Sequence, residues 1–387
     1  MKISRSLQLR FYLLIAISFL AIAPVSLHSF SRVPETIVKV GFLTEVDRIQ
    51  VKNYVKIKAV DISTGEKKFL SPGKNYVFQK GREGLKFGEF QLGNLVRLIP
   101  VQDTEFIRIN GRRYRDNIII QQNDDGTLTA INELGVDGYL FGVLPVEVSP
   151  NWPIESLKAQ AVVSRTFVMN NIDKYAHKGY GLSADVFSQV FRGGEVENPT
   201  TNRAVKETSG EVLSYNADLA RGYFFSSCGG YTADVKNVWG SGIPYMEGVT
   251  CGYCKDSPRY RWNKTVSPEN LKMKLNSDGY NIGEIEDIKF LSRTSSGRID
   301  EMLIIHSLGR TALTGHSFRM VIGPDIIKST LMSLDRDKPE FSFYGRGWGH
   351  GVGMCQWGAK GMAEKGYNYR KILKFYFPEI RVEKLTY

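Results

Sequence analysis

Glycine occupies every second position from 345 to 353 in Tyr344-Gly-Arg-Gly-Trp-Gly-His350-Gly-Val-Gly-Met-Cys355-Gln-Trp-Gly. In an extended chain these positions share one face, bare of side chains, while Arg346, Trp348, His350 and Val352 project from the other. A bare face lets a ligand or a second backbone approach closely. Glycine also supplies tight loops, and local pattern leaves the two readings level. His350 is a candidate zinc ligand, proton carrier or packed side chain, with packing or substrate contact ranked above metal.

A lone carboxylate marks a second segment, Val143-Leu-Pro-Val-Glu147-Val-Ser-Pro-Asn-Trp152-Pro. Set among Val143, Leu144, Val146, Val148 and Trp152, Glu147 loses hydration on folding, which disfavours its charged form and raises its pKa. A general acid near neutral pH requires such a shift. Local pattern alone favours a plainer role, a hydrogen bond at a helix start or a solvated turn. A helix follows: Pro153 suits a first turn, Glu155 suits the dipole, and Ile154, Leu157, Ala161, Ser164 and Val168 recur at helical spacing. This predicts burial on one face, with Ala159, Ala161 and Ser164 small enough for close packing.

Upstream, the chain reads as short strands at 38–43, 55–60, 106–109 and 118–120, punctuated by Gly, Asp, Asn and Pro. Residues 266–340 mix a helix at 268–275 with strands at 287–291 and 301–306, and 356–377 reads as two helices broken at Gly366. The expected class is α+β, a mixed helical and β core. Its expected parts are a β-rich N-terminal region over 30–133 and a core over 134–387, within which 266–340 is a candidate inserted α/β subregion.

Lys2, Arg5 and Arg10 precede an uncharged apolar stretch at 11–25, the layout of a secretory signal. The stretch is shorter than the about 20 residues of a membrane span. Ala21-Ile-Ala23 runs directly into Pro24, a poor residue to cut before, so a cut near Ser29 and an uncleaved N-terminal membrane anchor over 1–29 both fit. Either way the protein is expected outside the cytoplasm, in the periplasm or cell wall. The formal charge of +11 is dispersed, which suits an acidic polymer, an anionic membrane face or a merely solvated surface. No basic run is long enough to favour nucleic acid.

The four cysteines are Cys228, Cys251, Cys254 and Cys355. Two disulfides are the default in an exported chain. Cys251-Gly-Tyr-Cys254 is also a zinc-gripping C-x2-C pair, so a structural site of four thiolates competes. A Cys228 nucleophile with His350 as base would need the two to meet in space, and no flanking signature supports it.

Together these segments resemble the SpoIID/LytB family from about residue 38 to the C-terminus. The resemblance rests on Val136-Asp-Gly-Tyr-Leu-Phe-Gly-Val-Leu-Pro-Val-Glu147-Val, Leu157-Lys-Ala-Gln-Ala-Val-Val-Ser-Arg165-Thr and Ser188-Gln-Val-Phe-Arg-Gly193. It extends through Ser226-Ser-Cys-Gly-Gly-Tyr-Thr232 and Gly349-His-Gly-Val-Gly-Met-Cys-Gln-Trp-Gly358. Weaker matches are Leu313-Thr-Gly-His-Ser-Phe-Arg319 and Lys328-Ser-Thr-Leu331. The resemblance implies a SpoIID-like core and peptidoglycan glycan strands as partner. The family's sporulation member is a lytic transglycosylase acting on strands stripped of stem peptides; other members enhance wall amidases, so a non-catalytic enhancer of an N-acetylmuramoyl-L-alanine amidase is the alternative.

By the same resemblance Glu147 is the catalytic acid, with no cofactor for catalysis. Ser188, Gln189, Arg165, His350 and Gln356 are expected substrate contacts, Ser188 and Gln189 as oxygens facing oxocarbenium-like charge. The cysteines resemble a cysteine-bearing branch, and their spread over separate motifs implies convergence, with structural zinc ahead of two disulfides. Where the sporulation member carries Phe-His-Ser, this chain has Phe224-Phe225-Ser226, which leaves no histidine there for substrate or metal.

Overall fold

A computed structural model describes residues 36–102, 106–185, 188–335 and 340–385. The expected export segment at 1–29 lies outside them. The N-terminal alternation produces two sheets. In Leu95–Pro100, Val96, Leu98 and Pro100 are buried while their neighbours are half-exposed, and Ile57–Asp61 repeats the pattern beside it, paired antiparallel. These belong to a seven-stranded sheet, ordered Leu182–Ser183, Ile37–Val46, Leu128–Gly135, Asn117–Gln122, Leu95–Pro100, Ile57–Asp61 and Lys67–Leu70. A six-stranded sheet centred on Arg48–Lys52 and Asn75–Lys80 completes the layer.

The four strands expected from sequence all form, as Ile37–Val46, Ile57–Asp61, Ile107–Ile109 and Asn117–Gln122. Unforeseen were Asn75–Lys80, Leu85–Phe87 and Phe90–Leu92, whose short apolar alternations are interrupted by lysine and glycine. Tertiary packing rescues them: Phe78 and Phe87 are fully buried and stack at 4.3 Å.

Leu128–Gly135 runs directly into the helix Val136–Phe141, and Tyr139, Leu140, Val143, Leu144 and Phe191 share one core with the N-terminal strands. The described residues belong to a single compact unit, with continuous packing across 133/134. A separate core drawn from 262–343 gathers Leu271, Ile288, Met302, Phe318 and Phe343. Within it the expected helix is Pro268–Ser277, where the Asn270 N–H donates to Ser267 Oγ at 3.3 Å. The two C-terminal helices are Gln356–Glu364 and Tyr369–Tyr376, with Gly366 between them at φ 82°. Among the described residues no helix is long and apolar enough to cross a membrane.

The helix Ile154–Asn171 departs from expectation. Residues 159 to 166 are all buried, so the helix is enclosed around its whole circumference instead of along one face. It runs between two cores: Ala161 and Val168 pack into the first, Ala159, Val162 and Val163 into a second that contains the four cysteines. Ala159, Ala161, Val162 and Val163 are small enough to let both cores approach closely.

Candidate active site

Glu147 closes a one-turn helix, Leu144–Glu147, whose backbone leaves helical geometry at Val148 (φ −139°, ψ 150°). Leu144 and Val148, both buried, anchor the turn and hold the carboxyl half-buried between two segments remote in sequence. Burial raises its pKa; hydrogen bonds from the Val190 N–H and the Gln356 amide act in the opposite direction, and burial wins. The acid form therefore persists above the ordinary carboxylate range, while two donors wait for the anion.

Gln356, at the first turn of Gln356–Glu364, also donates to the Glu147 carbonyl oxygen at 3.4 Å and to Gln160 Oε1 at 3.5 Å. Gln160 in turn donates to Ser164 Oγ at 3.1 Å. The enclosed helix thus fixes Gln356, which fixes Glu147. The 188–190 loop supplies the other side. Gln189 is 3% exposed, and among the described residues neither of its amide atoms has a partner. Ser188 Oγ is engaged with the Ser183 N–H and hydroxyl, both at 3.2 Å.

Tyr139 was not a sequence candidate. It is fully buried and stacked on Phe191 at 5.2 Å, its hydroxyl lacks a hydrogen-bond partner among the described residues, and burial, then the Glu147 charge, push its pKa up. Its place inside the quoted motif was the available signal. Trp152 and Trp357 meet edge to face at 5.1 Å, joining the segment after Glu147 to the residue after Gln356.

Two expected substrate contacts take other roles. Arg165 is 2% exposed: Nη2 pairs with Asp137 Oδ1 at 2.7 Å and donates to the Val205 carbonyl, and Nη1 donates to the carbonyls of Thr208 and Glu211. It caps the C-terminal end of the helix Pro199–Glu207, with no donor left for a ligand. His350 receives the Val352 N–H at Nδ1 (3.1 Å), so the proton sits on Nε2, which donates to the Phe224 carbonyl at 3.1 Å. Burial, then the charge of Arg319, lower its pKa to about 3. Packed against Phe225 and Trp239 with both ring nitrogens engaged by the backbone, it is a neutral ring.

The glycine run is a loop. Gly347, Gly349, Gly351 and Gly353 all have positive φ, from 78° to 122°, and only Gly345 lies in a strand. At Gly353 an added Cβ would fall 2.3 Å from the Tyr223 carbonyl oxygen. The folded loop brings Cys355 beside Cys228: Phe224–Phe225 and Met354–Cys355 pair as short parallel strands.

All four cysteines converge, with their sulfurs within 4.8 Å of one another. Cys228 Sγ and Cys254 Sγ are 3.3 Å apart, beyond the about 2.05 Å of a disulfide and near the spacing of thiolates on one tetrahedral ion. The N–H groups of Cys228 and Gly358 donate to Cys355 Sγ, both at 3.2 Å, and the Gly230 N–H to Cys228 Sγ. Arg298, buried beside the cluster, donates to the carbonyls of Cys228 and Tyr231. A four-thiolate donor set with backbone N–H donors and a nearby cation fits a structural zinc ion.

Fold and site define a mixed α+β protein with one protonatable carboxyl, held from two distant segments, beside a buried four-thiol cluster. Residues 124–215 match the family described as Stage II sporulation protein, SpoIID, and 250–353 match a domain of unknown function. An uncharacterized protein of Brachyspira hyodysenteriae is 34% identical over 77% of this chain and 79% of its own length. The amidase enhancer of Bacillus subtilis is 31% identical over 62% of this chain, which spans only 39% of that protein. Stage II sporulation protein D of Bacillus subtilis is 27% identical over 66% and 76% of the two chains. The chain belongs to the SpoIID family.

Proposed function

We propose that the protein is a peptidoglycan lytic transglycosylase in which Glu147 is the only acid/base. The observation that carries this reading is the single half-buried carboxyl of Glu147, held at the end of Leu144–Glu147 beside Gln356, whose pKa burial raises. A retaining hydrolase sets a second carboxylate about 5 Å away. A lytic transglycosylase needs one. Glu147 protonates the glycosidic oxygen between MurNAc C1 and GlcNAc, the C1–O bond breaks, and the same muramic residue's 6-hydroxyl attacks C1. The Glu147 carboxylate, held by Val190 N–H and Gln356, then takes that hydroxyl's proton, leaving a 1,6-anhydro end and a free GlcNAc hydroxyl, with no water consumed. The unpartnered oxygen of Gln189 is suited to the oxocarbenium-like charge.

Family membership supports a role at the cell wall, and the charged-then-apolar N-terminus supports extracytoplasmic work. We also propose that Cys228, Cys251, Cys254 and Cys355 hold a structural zinc, which would cross-link the glycine loop to the second core. Incubation with peptide-free glycan strands, read by mass spectrometry, tests the enzyme: wild type yields 1,6-anhydro products and Glu147→Gln does not. The 31% identity to an amidase enhancer favours a second reading, a non-catalytic activator. That reading predicts no anhydro product, and faster cleavage by an added wall amidase.

A further inference from the structure

A groove of about 670 Å³ opens at the three-stranded sheet of Arg261–Val266, Phe341–Arg346 and Met332–Asp335, in the region that matches a domain of unknown function. Arg261, Arg293, Arg346, Trp262 and Tyr344 line it, and no Asp or Glu does. Arg261 and Arg346 are direct cross-strand partners, an arrangement in which like charges repel. Both are exposed, and among the described residues neither has a carboxylate partner. Arg293 is committed to the carbonyls of Gly297 and Met332.

Trp262, 8% exposed, faces the other side of the strand pair and packs into the core of 262–343. Gly345, its cross-strand partner, lets the neighbouring strand pack directly on the indole, since a Cβ there would lie 2.2 Å from the ring. Tyr344 presents a ring 45% exposed. Beyond the groove, Arg259 and Lys328 both lie over Trp348, at 4.8 and 4.9 Å from its ring centre, extending the positive surface.

We propose that this groove is a second binding site, for a carboxylate-bearing sugar of an anionic glycan strand. The Arg261–Arg346 pair takes the carboxylate, whose charge relieves their repulsion, while the Tyr344 ring, on the same face of the strand pair, takes the sugar. The volume lies within the roughly 300–1,000 Å³ of small-ligand sites. The inference rests on the glycan substrate proposed above: a peptide-free strand repeats a lactyl carboxylate on every muramic residue, so this site would favour such strands over neutral ones.

Binding is measured on the full chain carrying Glu147→Gln, so that turnover plays no part. The probes are peptide-free GlcNAc-MurNAc oligomers and neutral GlcNAc oligomers of equal length. The expected result is about tenfold tighter binding of the anionic oligomer. Adding Arg261→Gln and Arg346→Gln should abolish that preference, with neutral binding and melting temperature unchanged. Equal binding of both oligomers, or a preference that survives the arginine changes, overturns this site alone. Binding of neither oligomer overturns the glycan reading together with it. A glycerol-phosphate polymer that binds through the two arginines while the muramyl oligomer does not reassigns the groove to phosphate and overturns the proposal. Failure of the transglycosylase chemistry shows separately, in the anhydro-product assay.

Discussion

The Gln356 side chain donates to the Glu147 carbonyl at 3.4 Å across 209 positions of sequence, and the same amide favours the charged form of the carboxyl. One amide thereby positions the acid and favours its anion, against the burial that raises its pKa. Because the same Gln356 rests on the enclosed helix through Gln160, the site is as rigid as the boundary between two cores.

Glu147→Gln should lower 1,6-anhydro product formation by about 10²-fold or more while leaving the melting temperature within a few degrees of wild type. The amide retains the shape and cannot give a proton. Product quantification with parallel thermal melts checks both parts.

The pH dependence follows from the raised pKa. Protonated Glu147 contributes stability fully below the ordinary value of 4.5, and this is lost as pH rises through the higher folded-state value. Activity that requires the acid should fall over the same alkaline limb, at a pH above 4.5. Gln356→Leu removes a donor that favours the anion and should move that limb further up. A pH–rate profile of both proteins decides it, and a limb that moves down refutes the assignment.

Arg165→Met should destabilise the fold by about 3–5 kcal/mol, because Asp137 loses its partly buried cation and the carbonyls of Val205, Thr208 and Glu211 lose their donor. Denaturant titration measures the loss. If folding is unchanged and only glycan affinity suffers, the structural role assigned to Arg165 is wrong.

Elemental analysis should find about one zinc per chain, and a strong chelator should lower the melting temperature while a reductant alone does not. Cys355→Ser should lose the metal. Four unreactive thiols that appear only on reduction, with no zinc, would instead indicate two disulfides.

Gly353→Ala should cost about 2 kcal/mol or more, since alanine is strained at φ 78° and its Cβ meets the Tyr223 carbonyl. Gly252→Ala, where nothing lies within 4 Å, is the control and should change stability little. Differential scanning calorimetry compares the two.

Local pattern determined a good deal of this protein. Helical spacing located Ile154–Asn171 and Pro268–Ser277, alternation located Ile37–Val46 and Asn117–Gln122, and an apolar neighbourhood singled out Glu147 as an acid with a raised pKa. Such features belong to short windows, where periodicity and composition act directly on the backbone. Periodicity states that a residue is buried, and it does not state against what. Hence His350, in the sequence a packed or substrate-contacting side chain ahead of a metal ligand, became a neutral ring only when Phe224 and Val352 fixed its tautomer. Arg165 turned from a substrate contact into a helix cap for the same reason, and the glycine run became a loop because folding brought Tyr223 against it. The meeting of Cys228 with Cys355, and of Glu147 with Gln356, was decided by tertiary structure alone, because contacts between segments remote in the chain depend on which cores the intervening elements share.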